Sequence, residues 1–361
     1  MSIKRIIAVL LAGTLLVPSC KRAVGEEGFV SESPEGLVTI SIGAIADLAE
    51  PVSALQLDEA FEYLGQILDS EDPRTFLKLS SFAYIDERSV LAYSRDRVIR
   101  LSLEDGSFLC EYGRQGRGPG EYVRTLFCFA QDGEVYVNDQ MSTCHVYDLE
   151  SGEHLRDISL FGQKTSQFSI YVPMDGERAL FCYSSLAGKK RLFDIVDRSG
   201  QLVREGALTV EDGDLLGRSG IRLGYAKRIG DYLCVPDEET PPTFYQVHPD
   251  KDIPWLTFDL GNYDASGNRG LITQSYYSVG PYFGMHYYAA GNIGLAFCDL
   301  RSHRLVHFSS GRNATPFLHE GFPFHRDART IWLVPAFAER DLLICSEEGI
   351  NDVFYCFRLK K

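Results

Sequence analysis

Short runs of apolar, β-branched and aromatic residues alternate with polar turns along most of the chain, and one arrangement of them returns. A strand-like run, a polar turn and a second strand-like run occupy 98–112, 146–160, 192–208, 244–260 and 295–308. Their turns centre near Asp105, Ser151, Ser199, Asp250 and Ser302, giving steps of 46, 48, 51 and 52 residues. β-Branched and aromatic residues suit a pleated, half-buried surface. A period of this size with several strands per unit is the sequence mark of a β-propeller. A β-sandwich would leave the even spacing unexplained.

The repeats divide further into four strands each. In the second, 125–129, 134–138, 144–149 and 154–160 are strand-like, with Gln131-Asp132-Gly133 and Glu150-Ser151-Gly152 as turns. The first divides in the same way over 79–85, 89–93, 98–103 and 108–112, and later repeats begin near Gln167, Leu223, Tyr276 and Arg329. The last repeat has only three strands, 330–335, 341–345 and 353–359, before the chain stops at Lys361. A bare sheet edge there would invite association. The strand-like segment Val52–Leu57 is free to fill the place, while 57–68 could hold a helical turn or two. The expected fold is therefore all-β: a six-bladed β-propeller of four-stranded blades, closed by an N-terminal strand. Seven blades is the alternative if 260–279 hides another unit.

The first residues do not fit this pattern. Lys4 and Arg5 precede an apolar run, Ile6–Val17, too short to span a membrane, and Val17-Pro18-Ser19-Cys20 follows. That is the layout of a lipoprotein signal peptide over 1–19, with Cys20 as the lipidated first residue of the mature chain. Residues 20–36, charged and bearing Gly, Ser and Pro, read as a tether, and 37–361 as a single propeller domain. The formal charge is −14, becoming −16 once Lys4 and Arg5 leave, which disfavours nucleic acid as a partner. Eight cysteines remain after Cys20, most of them flanked by large apolar residues, and are expected to be small buried hydrophobes. There is no CxxC and no Cys/His cluster at zinc spacing, so neither a metal centre nor a cofactor is expected.

Between the first two blades lies Gly113–Tyr122, GRQGRGPGEY, whose glycines allow close backbone approach and whose Pro119 stiffens it. It lacks the Gly-Lys-Ser/Thr ending of a phosphate loop. With its flanks (VIRLSLEDGSFLCEY before it, GEVYVND and VYDLESGEHLRDISL after it) and with Cys20, it resembles the six-bladed, TolB-like and NHL-like propeller lipoproteins of Bacteroidetes. The resemblance implies a lipid-anchored location in the cell envelope, at the outer membrane on a side it leaves open, and carries over no catalytic residues.

In a propeller the connections between blades share one face around the central channel. Here they are 113–122, 161–169, 209–223, 261–280 and 309–328, and they carry eight basic against seven acidic residues. That near-neutral balance on an acidic chain favours an anionic or polar ligand. The candidate ligand-binding residues are Arg114, Arg117, Glu121 and Tyr122 from the first connection, Asn268, Arg269, Tyr276, Tyr277 and Tyr282 from the region of the fourth, and His325 and Arg326 from the fifth. Arginine offers a planar fork of donors, and tyrosine offers an apolar face. The rival role for the first group is an internal Arg117–Glu121 pair that holds the turn. No GxSxG, HExxH or Asp-box motif occurs. The expected function is a non-enzymatic module that binds a glycan, a peptide or an envelope protein. The alternative is a propeller hydrolase or lyase acting on an exported polysaccharide.

Overall fold

The structure, a computed structural model, describes residues 28–48, 52–53, 60–68, 74–75, 81–141, 143–159, 168–184, 190–210, 226–229, 232–237, 242–263, 270–289, 292–310, 317–319, 331–347 and 350–360. Each sequence repeat folds into an antiparallel sheet, and six such blades form a β-propeller. Blade 1 comprises Ser81–Ile85, Ser89–Tyr93, Val98–Ser102 and Phe108–Glu111. Blade 2 comprises Thr125–Gln131, Glu134–Asp139, Thr143–Asp148 and His154–Ser159. Blade 3 is built on Phe168–Pro173, Arg178–Ser184, Phe193–Asp197 and Leu202–Glu205, and blade 4 on Lys227–Ile229, Tyr232–Pro236, Phe244–Val247 and Asp252–Phe258. Blade 5 follows with Leu271–Val279, Tyr282–Ala289, Asn292–Asp299 and Arg304–Ser310. The tight turns expected from the sequence form: Asp132 and Gly133, at φ 52 and 80, take the two left-handed positions of a hairpin turn.

Blade 6 joins the two ends of the chain. Ile331–Glu339, Leu342–Glu347 and Ile350–Leu359 supply three strands, and Phe61–Leu68 pairs antiparallel with Ile350–Leu359 as the outermost. Closure by an N-terminal strand is thus observed, but not by Val52–Leu57. Within that segment Val52–Ser53 forms a short extra strand on the rim of blade 5, against His307 and Phe308. The helical turn considered for 57–68 gives way to strand from Phe61, because the open edge of Ile350–Leu359 offers a full ladder of hydrogen bonds. The expected tether is shorter too. Val30–Glu32 and Val38–Ile40 form a hairpin, and Val38–Ile40 adds in parallel to Asp252–Phe258 on the rim of blade 4. The N-terminal segment therefore follows the rims of blades 4, 5 and 6 in turn. The 260–279 stretch contains the inner strand of blade 5, beginning at Leu271 rather than near Tyr276, and so adds no seventh blade.

The core lies between blades rather than within them. Six clusters of buried apolar residues occur among the described residues, one at each seam. Blades 1 and 2 share Leu91, Tyr112, Val135, Val137 and Tyr147, and blades 6 and 1 share Ile67, Ile99, Leu101, Ile344 and Cys356. A polar link crosses every seam as well. The Tyr112 hydroxyl donates to the Leu149 carbonyl at 2.6 Å, and Asn138 exchanges two hydrogen bonds with the Tyr171 backbone at 2.7 and 3.0 Å. Arg204 donates to the His248 carbonyl at 3.0 Å, and Lys227 Nζ to the Tyr276 carbonyl at 3.2 Å. The Gly280 N–H reaches the Arg340 carbonyl, and Arg358 pairs with Glu87 at 3.1 Å. All eight cysteines are unbridged, and seven of them are buried.

The closing strand sits directly against blade 1: a Cβ on Gly65 would lie 2.3 Å from the Leu103 carbonyl oxygen. Ile67 is fully buried in the same seam. Ile67→Ala should therefore cost about 2–5 kcal/mol in urea unfolding. Val52→Ala, half-buried on the rim of blade 5, should cost less than half as much. A larger loss from Val52→Ala would return the closing role to that segment.

Candidate functional site

The Gly113–Tyr122 connection folds around one carboxylate. Glu121 accepts from Arg114 Nε at 2.6 Å and from the backbone N–H groups of Arg117 and Gly118 at 3.0 and 2.8 Å. The Gly118 N–H and the Arg114 guanidinium hold this carboxyl below its usual range. A Cβ on Gly116 would strike the Glu121 carboxylate at 2.0 Å, so the glycine makes the wrap possible. The pair that holds the turn is thus Arg114–Glu121; Arg117 contributes its backbone. The Arg117 side chain is exposed and makes no ion pair among the described residues.

The loop lies on the outer half of blade 2. Gly120, at φ +65, leaves room for His154, whose ring would be 2.7 Å from a Cβ there. The Tyr147 hydroxyl donates to the Gly120 carbonyl at 2.9 Å. Tyr122 is fully buried between blades 1 and 2, so it serves as packing and presents no contact surface.

The other candidates lie elsewhere. Tyr276 and Tyr277 belong to the inner strand of blade 5 and not to a loop. Tyr276 stacks on Phe258 and meets Phe244 edge-on, in the seam with blade 4, while Tyr277 packs toward blade 6 and its hydroxyl lies 3.2 Å from His286 Nδ1. Tyr282 starts the second strand of that blade, at the turn on the face opposite the interblade connections. Cys20, Asn268, Arg269, His325 and Arg326 lie outside the described residues. The structure thus keeps Arg114, Arg117, Glu121 and Tyr122 together and separates them from the three tyrosines. In the last connection, Phe317–His319 pairs with the start of the blade 6 inner strand, which brings that backbone to the channel side.

Two arrangements escaped the sequence. On the inner strands, Arg228 donates to the Gln131 side chain at 2.9 Å and to the Met174 carbonyl at 3.4 Å, bracing blades 2, 3 and 4. On blade 2, His145 Nδ1 and His154 Nε2 both meet the same oxygen of Asp157, at 2.7 and 2.8 Å. Behind His145, Asp139 is buried with its carboxylate oxygen 4.0 Å from Nε2. Burial would lower the His145 imidazole, but Asp139 and Asp157 outweigh it and hold it above its ordinary value. These residues carry no linear motif. What joins them is strand register, since His145 pairs with Asp157 across one ladder and with Val137, two residues before Asp139, across the other.

No protein-family model matches the chain, and no curated protein matches it in sequence. Among solved structures it is similar to a protein of Bacteroides fragilis NCTC 9343 described as exported, with a TM-score of 0.58 at 12% identity over 85% of this chain and 97% of that one. It is also similar to BamB of Moraxella catarrhalis, with a TM-score of 0.39 at 11% identity over 77% of this chain and 84% of that one. A Swd1 propeller domain of Myceliophteria thermophila gives a TM-score of 0.42 at 12% identity over 78% and 83%. At these identities the likeness is one of fold. The molecule is a six-bladed β-propeller.

The loop's dependence on a bare left-handed backbone is testable. Gly120→Ala places a Cβ both in the left-handed region and against the His154 ring. It should cost at least about 1 kcal/mol of stability, read as a lowered melting temperature. An unchanged melt would mean the loop does not pack on blade 2 as described.

Proposed function

We propose that this propeller is an exported lipoprotein of the bacterial cell envelope, anchored at Cys20, which binds a ligand or partner without catalysing a reaction. The observation that carries the binding reading is Arg117. The Glu121 carboxylate fixes its loop through three hydrogen bonds, yet its own guanidinium stands exposed without an ion pair among the described residues. A planar donor fork on a rigid support suits a carboxylate, a phosphate or the hydroxyls of a sugar. Arg114 flanks it but is engaged with Glu121. Asn268, Arg269, His325 and Arg326, from later connections in the sequence, remain proposed contributors.

The anchor supports this arrangement. Gly28 follows Cys20 by eight residues, and extended chain covers at most about 3.6 Å per residue, so the reach is roughly 30 Å. The first described strands lie on the rim of blade 4, two blades from the one that carries the Gly113–Tyr122 loop. The signal layout before Cys20 and the exported Bacteroides neighbour favour the envelope; the outer membrane follows from the resemblance of the sequence.

Two measurements test the reading separately. Cys20→Ala should release the protein from the membrane fraction, and retention there would remove the anchor from the account. On glycan and peptide arrays, Arg117→Ala should lose the signals of the unaltered chain at least tenfold with the same melting temperature. A lowered melt with unchanged array signals would assign Arg117 to the loop's architecture alone.

A further inference from the structure

We propose that His145, His154 and Asp157 of blade 2 form a binding site for a divalent first-row transition metal ion. The ligand atoms are His145 Nδ1, His154 Nε2 and a carboxylate oxygen of Asp157, and all lie within 4.8 Å of one another. Two imidazoles and one carboxylate are a ligand set suited to Zn²⁺ and its neighbours, at metal–ligand distances of about 2.0–2.2 Å. At present both nitrogens converge on one oxygen. An ion between them needs only a small retreat of Asp157, whose side chain is 43% exposed and has room to move. Three protein ligands leave a further position for water or an exogenous donor.

The surroundings of this triad are built, and they point the same way. A metal-bound imidazole ordinarily gives its other N–H to a carboxylate, which fixes the ring and raises its basicity. His145 has a carboxylate on that side: its Nε2 is buried without a hydrogen bond, and the buried Asp139 carboxylate stands 4.0 Å away. Asp139 is itself held by the Arg124 N–H at 2.9 Å. With a metal on Nδ1, the remaining N–H of His145 is on Nε2 and faces Asp139. Two further buried polar atoms without partners, Arg124 Nε and Thr125 Oγ1, belong to residues beside Asp139.

The Gly113–Tyr122 loop supports the other histidine. Gly120 packs on the His154 ring, and Tyr147, hydrogen-bonded to Gly120, meets that ring edge-on at 5.5 Å between centroids. The loop therefore orients a ligand of the site as well as presenting Arg117. The metal does not depend on the binding reading above, and either can fail alone.

The rival is an imidazolium at His145 bridging Asp139 and Asp157 with no metal. The two separate by titrating the full chain, purified in detergent and stripped with a chelator, with Zn²⁺ in a calorimeter, and with Co²⁺ followed by visible absorption. One Zn²⁺ per chain should bind with a dissociation constant in the micromolar range or below, and should raise the melting temperature. Co²⁺ should give the absorption of a four- or five-coordinate N/O site. His154→Ala and Asp157→Asn, both at positions with solvent access, should lower the Zn²⁺ affinity at least about a hundredfold, and Asp139→Asn about tenfold. Each variant is first melted in chelator to show that it is folded. Absence of Zn²⁺ binding to the unaltered chain, or equal binding by His154→Ala, would overturn the site and leave the bridging imidazolium.

Discussion

Each blade of this ring buries its apolar faces only against its two neighbours, so no blade is covered until the ring returns to its start. The six buried clusters make this explicit: every one draws on two adjacent blades. The seam between blades 6 and 1 differs in origin, because part of blade 6 comes from the opposite end of the chain. Phe61–Leu68 completes that blade by pairing with Ile350–Leu359, and places Ile67 and Gly65 against blade 1. The last blade gains its outer strand, the first blade gains its covered face, and the exposed edge disappears. The same N-terminal segment runs on the rims of blades 4 and 5 before it reaches blade 6. Among the described residues no further strand pairs with the outer strands of blades 1, 2 and 3, on which Leu109, Leu155, Leu202 and Val203 are exposed.

Much of this was legible in the sequence. The polar turns at 46- to 52-residue steps gave the blade count, and in blade 2 the strand limits differ from the structure by a residue or two. A closing strand from the N-terminus was legible as well, from the missing fourth strand of the last repeat. Which segment supplies it was not. In the preceding segment Leu57, Phe61, Leu64 and Leu68 also fall at helical spacing, while Val52–Leu57 is the more strand-like by composition. Partner edges decide such cases, and a distant edge leaves no local trace.

The candidate site was half legible for a similar reason. The glycines and Glu121 of the first connection announce a tight loop, and that loop forms. The connection that the sequence suggests over 261–280 takes in Tyr276 and Tyr277, yet their rings fill the seams on both sides of blade 5. The His145–His154–Asp157 group has no spacing signature, since it arises from register between two strands and from a loop that folds back over them. Both proposals accordingly meet at one place on the molecule, the seam between blades 1 and 2. There a rigid loop carries an exposed arginine on its outside and packs on a histidine beneath.

All of this requires a ring that opens and closes as one unit, with the N-terminal strand as a full member. Native-state hydrogen exchange across a denaturant series tests that requirement most directly. The account predicts that the paired amides of Phe61–Leu68 and Ile350–Leu359 exchange only through global unfolding, together with the second strands of blades 1 and 2. Exchange of Phe61–Leu68 through a lower-energy opening, while the other blades stay protected, would contradict it and show a propeller that stands without its clasp.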